Sequence, residues 1–182
     1  QKLGEGSLIL DCYPAGKFGV QQQAERLGRP FLYLPGSFDY EEIQEQERQL
    51  VSALEMLKKS QTNEKLVRKA GNEDSEGILG ITGLDIEKEI QSCEAILSHA
   101  KEIIGDTPVA LDYLFHPRPL GLAKLLLTHG FKVESVYLDS ISPEEKEIFF
   151  WLKENVPELK LISTIRPEMR VRTRCSENKI LA

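Results

Sequence analysis

The chain opens on an apolar run, Leu8-Ile9-Leu10, which carries Asp11-Cys12-Tyr13 out of its end into the small-residue loop Pro14-Ala15-Gly16. A short apolar run bounded by turn formers reads as a strand. A helix is expected over residues 17–28, stopped at Leu27-Gly28 because glycine takes the left-handed conformation without steric cost. Phe31-Leu32-Tyr33-Leu34, closed by Pro35-Gly36, predicts a second strand. With a helix between them, the two strands are expected to be parallel. Asp39 followed by Glu42 is a variant of the capping box, and Ile43, Leu50, Ala53, Leu54 and Leu57 recur behind it at helical spacing. These predict a long amphipathic helix over residues 39–58. The pattern is then lost over residues 59–83, where polar and turn-forming residues predict a mobile loop with a helical turn around 64–69.

From Asp85 onward, Ile86, Ile90, Cys93, Leu97, Ala100 and Ile104 alternate steps of four and three, the signature of one helix face. Cys93 in that stripe reads as a small buried hydrophobe, and His99 beside it as a surface residue. Pro108-Val109-Ala110-Leu111-Asp112-Tyr113-Leu114 predicts a strand, residues 119–129 a helix stopped by Gly130, and residues 131–138 another strand. Ser142-Pro143-Glu144-Glu145 supplies a serine cap, a proline at the first helical position and acids that complement the helix dipole. The helix it starts runs through Ile148, Trp151 and Leu152 to Asn155, and Leu159-Lys160-Leu161-Ile162-Ser163 follows as a strand. The expected fold class is α/β: Rossmann-like parallel sheets with flanking helices, in two α/β pieces joined by long helices. The pieces are residues 1–58 and 106–182, bridged by a polar loop and helix over 59–105.

Composition narrows the function classes. With 182 residues, 41% hydrophobic and 29% charged, the chain can bury a core, and no apolar run is long enough to cross a bilayer. The net charge of -6 argues against nucleic acid and anionic membranes as partners. Cys12, Cys93 and Cys175 are far apart and form no C-x-x-C pair, so neither a disulfide framework nor a self-contained zinc site is expected, and a reducing cytoplasm suits them. The opening on Gln1 and the apolar run just starting at Lys179-Ile180-Leu181-Ala182 read as an excised piece of a longer protein.

No strand is followed by a Gly-rich nucleotide loop, since Gly80-Ile81-Thr82-Gly83 follows no convincing strand, and no serine sits in a nucleophile elbow. Cys12 lies at a strand's carboxyl end, where ligands of open α/β sheets sit. It stands as either a ligand or a core thiol. His116-Pro117-Arg118-Pro119 follows a strand and leads into a helix, so two prolines fix the backbone around Arg118. That arginine is either aimed into a crevice toward an anionic group or solvated on a rigid turn. Arg170-Val171-Arg172-Thr173-Arg174 reads as a solvated strand edge, and nothing supports Cys175 as a ligand.

Three blocks together resemble the nitrogenase component 1 family, which includes molybdenum-iron protein subunits, cofactor-assembly scaffolds and dark-operative protochlorophyllide reductase subunits. They are Leu8-Ile9-Leu10-Asp11-Cys12-Tyr13 with the junction Arg26-Leu27-Gly28-Arg29-Pro30-Phe31-Leu32-Tyr33-Leu34-Pro35; Pro117-Arg118-Pro119 leading to His129-Gly130-Phe131-Lys132-Val133; and Lys179-Ile180-Leu181-Ala182. The resemblance implies an oxidoreductase subunit that holds an iron-sulfur type cluster, such as one like the molybdenum-iron cofactor, and is fed by an ATP-dependent iron-sulfur reductase protein. It implies a homologous subunit as partner in a homo- or hetero-oligomer. By the same resemblance Cys12, followed by the aromatic Tyr13, ligates a terminal iron, and Arg118 reaches the cluster's sulfides and substrate face as the catalytic residue. The family's N-terminal cluster cysteines and its C-terminal histidine ligand have no counterpart, so the piece by itself is expected to retain no cluster and to turn over no substrate. A noncatalytic assembly scaffold and a metal-free α/β ligand-binding module stand as alternatives.

Overall fold

Among the described residues every strand pair is parallel, so each connection between paired strands must cross over, which makes the chain a mixed α/β protein. The computed structural model describes residues 7–67, 85–165 and 180–181. Gly80-Ile81-Thr82-Gly83, the arginine-rich run at 170–174 and Cys175 lie outside them. The chain divides into two compact units, one comprising Gln1–Gly36 and Tyr40–Ile90, the other Ser37–Asp39 and Gln91–Ala182.

In the first unit, β1 (Ile9–Asp11) pairs with β2 (Phe31–Tyr33), Ile9 opposite Phe31 and Asp11 opposite Tyr33. Helix α1 (Lys17–Leu27) connects them and ends at Gly28, with φ 61°. The Arg29 N–H donates to the Ala24 carbonyl and the Gly28 N–H to that of Glu25, the pair of bonds that closes a helix in a Schellman motif. A Cβ at Gly28 would meet no atom within 4 Å. Gly28→Ala is therefore expected to lose only the backbone term, about 1 kcal/mol, read as a lowered thermal midpoint.

Helix α2 (Tyr40–Val67) starts directly after Asp39, as its spacing predicts, but runs past residue 58 to Val67. Lysine, glutamine and glutamate are good helix formers, and no glycine or proline interrupts until Gly71, so loss of the apolar stripe is not a stop. Among the described residues of this unit only Ala24 and Pro35 are buried.

Helix α3 (Ile86–Ile104) begins as expected at Asp85, whose Oδ1 accepts the Lys88 N–H at 3.2 Å. Its stripe is half-buried at Ile86, Ile90, Leu97, Ala100 and Ile104, but Cys93 is exposed, contrary to expectation. The inward position at that turn belongs to Glu94, which meets His129.

The second unit holds a four-stranded parallel sheet in the order β5-β4-β3-β6, made of β3 (Val109–Asp112), β4 (Val133–Leu138), β5 (Lys160–Ser163) and β6 (Ile180–Leu181). Strand β3 is shorter than predicted. The Asp112 side chain accepts the Leu114 N–H at 2.9 Å and its carbonyl the Phe115 N–H at 3.0 Å, which turns the chain out of the ladder. Helix α4 (Pro119–Thr128) is closed by Gly130 at φ 77°, with the Phe131 N–H bonded to the Leu126 carbonyl. A 3-10 turn at Pro143–Glu145 leads into α5 (Lys146–Asn155). Pro143 opens it as expected, but Ser142 makes no side-chain cap, and only its carbonyl accepts the Glu145 N–H at 3.0 Å. The core lies here, where Val109, Leu111, Leu120, Ala123, Val136 and Leu152 are all below 5% exposed.

Candidate functional site

In the first unit the sequence points to the β1–α1 connection. Asp11 ends the strand, and its Oδ1 accepts the Tyr13 N–H at 3.2 Å. Its Oδ2 is shielded from solvent without a hydrogen bond, and a Cβ at Gly16 would lie 3.5 Å from one carboxylate oxygen and 3.6 Å from the other. The loop thus closes tightly over Asp11, with the Gly16 N–H on the Tyr13 carbonyl at 3.0 Å. Cys12 and Tyr13 are both exposed. The core-thiol reading of Cys12 is therefore overturned: a strand-end cysteine in a turn this tight has no apolar surface to pack against. An accessible thiol, one residue past a strand and just ahead of a helix, can be alkylated or bind a soft metal.

In the second unit the chain builds outward from β3 to β4 to β5, then returns to the other side of β3 with β6. The sheet's topological switch falls beside β3, so the connection from Asp112 to Pro119 leaves the sheet where open α/β folds place ligands. Leu114 and Phe115 are exposed on it.

Arg118 follows on the same connection but is 2% exposed, so the solvated-turn reading does not hold. Its backbone N–H donates to His116 Nδ1 at 3.0 Å, and its Nη2 to the Glu144 carbonyl at 3.4 Å. His116 must therefore carry no proton on Nδ1, and burial, with the Arg118 charge, holds it below the ordinary histidine value. The Phe38 ring packs edge-on against His116, centroids 4.7 Å apart. The rigidity expected from two prolines is thus reinforced by the imidazole.

Glu145 is the residue that the motifs missed. It is 1% exposed, and its Oε1 accepts the Gly121 N–H at 2.9 Å in the first turn of α4. Burial raises its pKa, while the Gly121 N–H, the Arg118 charge and the Leu120 N–H oppose the rise. The N-terminus of α4, where a Rossmann-type half would take a ligand phosphate, already holds this internal carboxylate. Helical spacing carried the signal, since Glu145, Ile148 and Leu152 fall on one face and Leu152 is core.

Cys12 and Tyr13 belong to the first unit and Arg118 to the second. Among the described residues no three His, Cys, Asp or Glu side chains are grouped so as to hold a metal ion. No helix among them is long and apolar enough to cross a membrane. No family model and no curated protein sequence matches the chain.

Proposed function

We propose that this chain is a nitrogenase component 1-like oxidoreductase subunit in which the Cys12 thiolate is a ligand to an iron-sulfur type cluster. The observation that carries the reading is the exposed Cys12 thiol at the carboxyl end of β1, on the loop that leads to α1. A thiolate is a soft, charge-donating ligand, and the reading asks it for one bond to one iron of a preassembled cluster. One accessible cysteine fits that demand. When bound, the cluster would supply electron storage that no side chain offers.

The reading gives Arg118 the part of a positive charge acting on the cluster's sulfides. Its support, within the second unit, is a buried arginine on the connection that follows β3, its backbone fixed by His116, Pro117 and Pro119. Electrons would come from an ATP-dependent iron-sulfur reductase protein, and a homologous subunit would complete the assembly.

Anaerobic expression of the full-length protein with iron and sulfide analysis tests the proposal. The wild type should copurify with iron and acid-labile sulfide, and Cys12→Ala should lose most of both. Because the side chain is exposed, the variant's unfolding free energy should stay within about 0.5 kcal/mol of wild type. Equal iron in the two proteins, or a well-folded wild type free of iron and sulfide, would sink the metal reading in favour of a metal-free α/β binding module.

A further inference from the structure

We propose that His129 and Glu94 form a proton-dependent clasp that holds the 91–104 part of α3 against the end of α4. His129 Nδ1 lies 2.7 Å from the Leu125 carbonyl oxygen, and Nε2 lies 3.0 and 3.1 Å from the two oxygens of Glu94. Both nitrogens face groups that only accept. A neutral imidazole has one N–H to donate, whereas the imidazolium has two, so only the protonated ring satisfies both partners. Its charge also sits at the C-terminal end of α4, where the helix dipole favours a cation.

Neither Thr128 nor Lys101 competes for the ring. Thr128 Oγ1, 3.4 Å from Nδ1, is within bonding distance of the Lys124 and Leu125 carbonyls. Lys101 of α3 lies over the Phe131 ring at 5.9 Å, with its Nζ bound to the Gly105 carbonyl at 2.7 Å and paired with Asp106 at 3.2 Å. The His129 side chain is 24% exposed and that of Glu94 42%. The bond to Leu125 raises the His129 pKa, burial opposes it, and Glu94 adds to the rise.

Helix α3 has no fully buried residue, so a polar clasp can decide how firmly it docks. A raised folded-state pKa means the clasp's contribution is full below the unfolded value of 6.5 and disappears as pH rises through the folded value. Loss of the proton leaves either Leu125 or Glu94 facing a lone pair and in both tautomers removes the positive charge opposite Glu94, so the hold on α3 weakens.

The test is hydrogen exchange of the full chain from pH 5.5 to 9, corrected for intrinsic rates, alongside an NMR titration of His129. Protection of the 91–104 amides should fall roughly fivefold or more across the His129 titration, as the loss of about 1 kcal/mol implies. Glu94→Gln should lower the His129 pKa and move the protection change with it. If His129 in the wild type titrates at or below 6.5, or if α3 protection does not follow that titration, the clasp is overturned. The titration needs no substitution, so an unstable variant does not blunt it.

Discussion

Glu145→Ala should cost about 3–5 kcal/mol of folding free energy, seen as a large drop in the urea midpoint. The substitution strips the Gly121 N–H of its acceptor and removes a negative charge that acts on the buried Arg118. Arg118→Met should be costly for the mirror reason, since a carboxylate at 1% exposure would lose its cation. The double variant Arg118→Met/Glu145→Leu should lose much less than the sum, because apolar side chains of similar volume carry no desolvation cost. Fully additive losses would mean that the two charges do not support each other. The pH dependence has a definite sign. A carboxyl raised above 4.5 binds its proton more tightly when folded, so stability from this group falls as pH rises from 4.5 through the folded value. Glu145→Gln should abolish that slope while keeping an acceptor for Gly121.

Leu120→Ala is the second large effect, about 2–5 kcal/mol, because Leu120 is fully buried and its removal leaves a cavity against the sheet as well as lost transfer energy. Leu10→Ala, on a residue 53% exposed, should stay within about 0.5 kcal/mol by the same denaturation. The contrast measures how unequally the two units are packed. Comparable losses would show that Leu10 is covered in solution.

The order of strands and helices was readable because each boundary had a local cause. Gly28 and Gly130 close their helices in left-handed conformations, Asp85 caps α3, and Pro143 opens the turn before α5. The misreadings came where burial and polarity disagree. Residues 59–67 lack an apolar stripe yet continue α2, since helix propensity does not need one. Cys93 kept the period of its stripe but lost its place to Glu94, whose partner lies 35 residues away, a distance no local pattern encodes. Arg118 and Glu145 were each legible as charges at a turn, and their shared burial was not. For the candidate site, the strand-end position of Cys12 was readable and its exposure was not.

The placement of β6 beside β3 has a consequence for how the protein is made. Ile180 and Leu181 pair with Val109 and Ala110, so β3 gains its second neighbour only from residues made after β4 and β5. Until then one side of β3 is an open edge on a nascent chain whose other pairings are already available, and contacts this distant in sequence close slowly. The vulnerable period of this fold lies in synthesis, and a chaperone or a slow step in translation acting before residue 180 would find its target at β3.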